Sequence, residues 1–404
     1  MQRIVGFLKT LFGKLPFMST TEKPVKKNQM LAFFPWLSLD NSVQVGDWEL
    51  IPVSTRGLGD SEGDQNLKQV LKPYHQSASV PIREAVLLKR KDKGLFDVLS
   101  NEERSDYFLI GEILAFCAVA RREFFSHGRT YTNSSSYALT IQGFTTGSDG
   151  IAVESRRRDG SNLNYIPGKY NLIIKPHFAI TEEMQFDDAL TVALLAAQEH
   201  DFWGNLHESI FCYLRANSDD AQTQQQAELM FAMGAFERLF DIGNGNCGLT
   251  ADAFVNIMKT VLIEEERPQD IGRQLGRLAR YPSTREAWLR DFCTCRGDMA
   301  HGRTKQSYQS IWSPQEHLLL SANIFPIALK AVLESLGFYK LTDTDRRELF
   351  YFDKRLREAN LYADTADIED QTFGWAEARK TAVWEWPGAK EKLIPKFASA
   401  TILN

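Results

Sequence analysis

The densest chemistry in the chain lies in the stretch Asp291-Phe-Cys-Thr-Cys-Arg296-Gly-Asp298-Met-Ala-His301-Gly302. It sets a permanent cation and a titratable imidazole with four residues between them, one of which is a carboxylate. On a regular helix each residue turns about 100°, so positions i and i+5 stand roughly 140° apart. Arg296 and His301 therefore converge only if the helix begins or breaks between them, and Gly297 is a residue that permits a break. Asp298 and His301 are i and i+3, which are helix neighbours, so the carboxylate could orient the imidazole. A cation beside a base suits chemistry on a phosphodiester: the guanidinium holds phosphate in a fork and the imidazole moves protons. The plainer alternative is that Arg296 pairs with an acid and His301 caps a helix end.

The surroundings of this stretch are locally basic. Arg273, Arg277, Arg280, Arg285 and Arg290 precede it, and Arg303 and Lys305 follow. If residues 270–290 are helical, Arg273 and Arg277 share a face at i and i+4. Arg273, Arg277, Arg303 and Lys305 are the candidates for contacting an RNA backbone; a merely solvated arginine face is the competing reading. The chain as a whole has a net charge of −5, so any nucleic-acid contact must come from such a patch.

Length and composition bound the rest. A chain of 404 residues, 43% hydrophobic and 25% charged, has room for two or three domains with their own cores. The five cysteines (Cys117, Cys212, Cys247, Cys293 and Cys295) are odd in number and scattered, which predicts free thiols in a reducing cytoplasm. Cys293 and Cys295 lack a second ligand pair, so no zinc site is expected, and no other metal or cofactor is implied. No run reads as long and apolar enough to span a membrane. Residues 1–17 carry apolar residues at helical spacing interrupted by lysines, which fits a lipid-surface helix or a start of translation at Met18 or Met30.

The chain reads as a multidomain α+β protein. Residues 1–30 form a disordered or amphipathic tail. Residues 31–180 form a mixed, β-rich domain, with strands near 33–37, 43–53, 85–91, 137–141, 150–155 and 170–176 and a polar loop at 54–65. A helix at 105–125 in this region is apolar on most of its surface and belongs in a core. Arg156-Arg-Arg158-Asp-Gly could form a hairpin tip. From residue 181 helical signals take over and run to about 360, giving an all-α bundle. Thr181-Glu-Glu opens a short capped segment, and Ser313-Pro-Gln-Glu is a capping-box start. The helix that follows runs to Leu336 and stops at Gly337, with Pro326 kinking it. Residues 361–404 form a tail, with Trp375, Trp384 and Trp386 packing it on the body.

Other sets carry less. His127 with residues 134–136 lacks the elbow of a serine hydrolase. Gly243-Asn-Gly245-Asn-Cys-Gly248 matches a dinucleotide fingerprint by letter but follows a helix, so it reads as an interhelical turn. His200 and His207 flank Trp203 without a third ligand. His75, His177 and His317 have no nearby partners in the sequence.

The central stretch resembles the Arg-x4-6-His signature of the HEPN superfamily of all-helical domains. It is especially like the ApeA-type anti-phage branch, whose motif commonly runs Leu-Arg-Asn-Asp-Ile-x-His-Gly. Arg296, Asp298, His301 and Gly302 fill those positions, and Gly297 departs from the polar residue usual there. Ala235-Phe-Glu237-Arg-Leu-Phe is similar to the glutamate-bearing helix that precedes the motif in that family. The resemblance covers roughly residues 181–360. It implies a HEPN-type bundle and metal-independent RNA cleavage by attack of a ribose 2′-hydroxyl on its own phosphate. His301 would be general acid or base, Arg296 would stabilise the transition state, Asp298 would orient His301, and Glu237 would be a structural partner of the arginine. Such domains pair across a two-fold axis, so a homodimer is expected. The function implied is an endoribonuclease effector of phage defence, with residues 31–180 answering a phage-derived trigger. The alternative is a non-catalytic HEPN module that binds RNA, nucleotide or a partner protein, for which the missing polar residue at 297 leaves room.

Overall fold

The structure, a computed structural model, describes residues 27–121, 134–146, 151–156, 162–165, 172–175, 182–218, 224–243, 246–264, 274–300 and 310–357. The expected helix at 1–17, the packing tail at 361–404, His127, His177 and residues 157–161 lie outside them.

A β-rich half comes first. β1 (Asn28–Phe34), β2 (Leu37–Ser38), β3 (Val43–Val45) and β4 (Trp48–Ser54) precede α1 (Glu62–Leu71). Then come β5 (Tyr74–Ser77), β6 (Val80–Pro81), β7 (Glu84–Arg90), α2 (Asn101–Arg121), β8 (Thr140–Thr145), β9 (Ile151–Arg156), β10 (Asn162–Tyr165) and β11 (Ile173–Ile174). Seven strands make an antiparallel sheet in the order β10-β9-β8-β1-β7-β4-β3. β9 and β10 are antiparallel neighbours.

Strand alternation splits the side chains between two cores. Leu31, Phe33, Ala85 and Leu87 face α1 and Tyr74. Ala32, Phe34, Val86 and Leu88 face α2 and the helices beyond it. α1 corrects the expectation of a loop through residue 65. Ser61 caps it by accepting from the Asp64 N–H at 3.1 Å, and its apolar face is only Leu67, Val70 and Leu71, too short a stripe to stand out among polar neighbours.

The helical half follows. β12 (Glu182–Glu183) pairs in parallel with β2, so Thr181-Glu-Glu does not open a helix as expected. The start lies later, where Asp187 caps α3 (Asp188–Ala196) through the Leu190 N–H at 3.0 Å. α4 (Trp203–Ala216), α5 (Gln225–Leu239), α6 (Cys247–Val261), α7 (Thr284–Ala300), α8 (Pro314–Ser335) and α9 (Asp343–Arg357) complete the described elements. Gly243 and Asn246 fall in the α5–α6 connection, where the Asn246 side chain caps α6. Ser313 and Glu316 form the capping box that starts α8.

The two halves share one core. α2 lies between the sheet and the bundle, and Phe116 on it meets Tyr213 of α4 at 5.3 Å and Phe325 of α8 at 6.2 Å. The aromatic run continues through Phe236 of α5, 5.3 Å from Phe325, to Trp288 of α7, 6.2 Å from Phe236. Lys330 is buried on α8 between Asp187 at 2.8 Å and Asp345 at 2.9 Å, tying α3, α8 and α9 together. Burial opposes its charge, but the two carboxylates hold its pKa above the ordinary lysine value.

α8 has the length and composition to cross a membrane, with a mean hydropathy of 1.5 over its most apolar window, which qualifies the expectation that no such run exists. Of that window, 72% is buried inside the protein, where it forms the bundle's central helix. Pro326 lies within it and has no N–H to give the carbonyl four residues back. That carbonyl, on Ala322, accepts from the Tyr213 hydroxyl at 2.8 Å.

Tyr213→Phe is expected to cost about 1–2 kcal/mol in denaturant unfolding, because it strands a buried carbonyl. In a Pro326→Ala background residue 326 regains its N–H and the cost should fall towards zero; an equal cost in both backgrounds would disprove the compensation.

Candidate functional site

α7 carries the chemistry-bearing stretch, and it is fastened on every side. At its start the Glu264 carboxylate accepts from the Thr284 N–H at 2.7 Å and from the Ser283 hydroxyl, placing negative charge at the helix N-terminus. The next residue, Arg285, is fully buried. It forks onto Asp353 of α9 with Nε–Oδ1 2.8 Å and Nη2–Oδ2 2.6 Å, and Nη1 donates to the Leu262 carbonyl at 3.0 Å. This corrects the reading of Arg285 as part of an exposed basic stripe. Arg290 is also engaged, with Glu286 at 2.8 Å and Asp252 at 3.2 Å. Arg277 is exposed on a short 3-10 helix, Gly276–Arg280, so the expected i, i+4 helical stripe is not formed there. Arg273, Arg303 and Lys305 lie outside the described residues.

At about 100° per residue, Asp291, Cys295 and Asp298 fall on one side of α7, while Cys293 and Arg296 fall on the other. On the second side Cys293 is disulfide-bonded to Cys247 at the start of α6, with 5.8 Å between the Cα atoms. The expectation of five free thiols is thereby corrected; Cys117, Cys212 and Cys295 remain free. Forty-six residues of sequence separation hid a pair that only helix packing brings together. Next to it Arg296 reaches α5, where its Nη2 pairs with Glu237 Oε1. Both side chains are mostly buried, and Arg296 Nε is buried with no acceptor among the described residues.

α7 does not break at Gly297, as the spacing argument required. It runs on to Ala300, with open space where a Cβ at Gly297 would stand. Arg296 is thus an interior residue of the helix, and Asp298 lies on its last turn, partly exposed. His301 and Gly302 follow directly and lie outside the described residues.

The first side holds residues the sequence did not flag. Asp291 is completely buried, and its Oδ2 faces four donors: the backbone N–H of Ile311 at 2.9 Å and of Trp312 at 3.0 Å, the Ser310 hydroxyl at 2.9 Å and His317 Nε2 at 3.2 Å. His317 is therefore not without partners, as its sequence neighbourhood implied; its ring also stacks on Phe292 at 4.9 Å and 14°. The signal that could have found it is the polar residue on the otherwise apolar face of a core helix. Cys295, in the same cluster, has its thiol pushed up to about 11 by burial and by the nearby Asp291 charge.

Two further histidines in the described residues pair locally. His207 pairs with Glu112 of α2 at 2.8 Å and stacks on Trp203, and His200 Nδ1 accepts from the Phe202 N–H at 3.1 Å. Among the described residues no three His, Cys, Asp or Glu side chains are grouped as a metal site would need.

Comparison with known proteins adds no relative: no family model, no curated protein and no solved structure matches the chain. The HEPN resemblance therefore rests on the motif residues themselves.

Alkylation of the native protein near pH 7.5 is expected to modify Cys212 first, to spare Cys117 and Cys295, and to reach Cys247 and Cys293 only after reduction. Peptide mapping checks this; rapid native labelling of Cys293 without reductant would show that the bridge does not form in solution.

Proposed function

We propose that the protein is a HEPN-type endoribonuclease that cleaves RNA without a metal, as a cytoplasmic effector of phage defence. The observation that carries the reading is the meeting of Glu237 and Arg296. They are 59 residues apart, on α5 and α7, and are the two positions that the resemblance relates to each other. In this reading Glu237 aims the guanidinium, and Arg296 stabilises charge developing on the phosphate as its fifth oxygen bond forms. His301, directly after α7, removes the proton from the ribose 2′-hydroxyl or returns one to the 5′-oxygen. The 2′-oxygen–phosphorus bond forms, the phosphorus–5′-oxygen bond breaks, and a 2′,3′-cyclic phosphate remains. An unperturbed imidazole pKa of ~6.5 suits both roles near neutrality. Asp298 orients the imidazole. Arg273, Arg277, Arg303 and Lys305 supply the positive field for the RNA backbone, and a homodimer sets two motifs face to face. The β-rich half, which shares its core with the bundle, receives the phage-derived trigger.

One observation favours a second reading, a non-catalytic HEPN module that binds RNA, nucleotide or a partner protein. The Glu237 carboxylate neutralises Arg296 within the subunit, and an arginine already paired holds phosphate less strongly.

Sequencing of RNA ends after brief induction separates the two. New 2′,3′-cyclic phosphate ends are expected with the wild type, insensitive to chelator in a purified assay, and at least about a hundredfold fewer with Arg296→Ala or His301→Ala. Identical ends from wild type and both variants would remove these residues from the chemistry. Sizing at micromolar concentration should give a dimer; a monomer throughout would withdraw the two-motif arrangement.

A further inference from the structure

Away from α7, a cleft of about 260 Å³ opens between α2 and α4, walled at one end by the 3-10 helix Ser134–Tyr137 and the residues after it. Its floor is made of small residues on α2. Ala115 is one; Gly111 is the other, and a Cβ there would stand 2.9 Å from the Leu139 Cβ. The approach of Leu139 therefore depends on glycine. The wall is tied down, since Ser134 Oγ donates to the Leu214 carbonyl at 2.6 Å, the Ser134 N–H to the Asn217 carbonyl at 2.8 Å, and Ser135 Oγ to the Ser218 carbonyl at 3.3 Å.

Two phenyl rings line this cleft and remain exposed, Phe108 at 46% and Phe211 at 38%. Phe108 is an exception on α2, whose surrounding apolar residues are mostly buried. Charge at the cleft is unequal. Glu112 is matched by His207 at 2.8 Å. Arg215 has its guanidinium 5.1 Å from the Phe211 ring centre and pairs with no carboxylate among the described residues. Stacking on the ring orients the fork while leaving its N–H groups to donate.

We propose that this cleft binds a planar aromatic ring bearing one anionic group, with the ring against Phe108 and Phe211 and the anion on Arg215. Its size is just below the roughly 300–1,000 Å³ of pockets for drug-sized ligands, which suits one ring system and a small acid. The polar atoms of the serine wall are already engaged as donors, so specificity comes from the cation and the ring faces. A mononucleotide and an aryl carboxylate both have this chemistry. The proposal stands independently of RNA cleavage, since no residue of α7 takes part.

Titration calorimetry of the full-length protein tests it with AMP, UMP and indole-3-acetate, against adenosine and inorganic phosphate. At least one ring anion is expected to bind, and the nucleotide and carboxylate arms tell which source it is. Arg215→Gln should weaken that ligand about tenfold or more, as loss of a charge-assisted contact does, and Phe211→Ala should weaken it as well. Thermal melting confirms that each variant is folded. Ala115→Leu, which fills the floor, should block binding and provides a check that does not depend on the charge. The proposal is overturned if no ring anion binds at millimolar concentration, if adenosine or phosphate alone binds as well, or if Arg215→Gln leaves the affinity unchanged.

Discussion

A carboxylate sealed from water sets the terms for the helical half. Asp291 has no exposed surface, and an isolated charge there would cost several kcal/mol, so the chain must bring donors to it. It brings four: two backbone N–H groups, a hydroxyl and an imidazole, from residues 310–317. Meeting that demand fixes the turn that enters α8 against the side of α7. The capping box at Ser313 and Glu316 can then start α8 in one direction only. The helix that results is the one every other helix of the bundle packs around, and its Phe325 carries aromatic contacts to α2, α4 and α5.

The same logic explains how α7 holds a candidate site steady. A buried arginine fork to α9, a disulfide to α6, an ion pair to α5 and the Asp291 cluster under α8 act on it from different directions. Together they fix rotation about the helix axis, because Asp291 holds one side of the helix while Arg285, Cys293 and Arg296 hold the opposite one. Arg296 is consequently presented from a rigid element, with its guanidinium aimed by Glu237. That serves a catalytic arginine and a structural one equally well; the distinction lies in the chemistry, not in the rigidity.

The sharing of one core between sheet and bundle has a functional consequence. The second half of α2 is buried in the shared core, so a displacement of the sheet is expected to repack Phe116 against Tyr213 and Phe325. The cleft beside α4 lies on this same helix, with Glu112 and His207 linking the two. A ligand there would act on the element that joins the halves.

The residues alone determined what depends on local physics. The apolar run of β7, the apolar surface of α2, the Ser313 capping box and the change from strand to helix near residue 181 are all written in local composition and caps, and the α+β architecture follows from them. The tertiary structure decided what depends on distant partners. Gly297 permits a break but does not compel one, and the helix runs through it to Ala300. Arg285 looks like a surface charge until Asp353 is placed beside it; Cys293 looks like a free thiol until α6 delivers Cys247; His317 looks solitary until Asp291 faces it. In each case the sequence supplied a side chain able to go either way. The choice was made by which group stands within about 3 Å once the core is closed, a quantity set by the packing of whole helices rather than by any window of the chain.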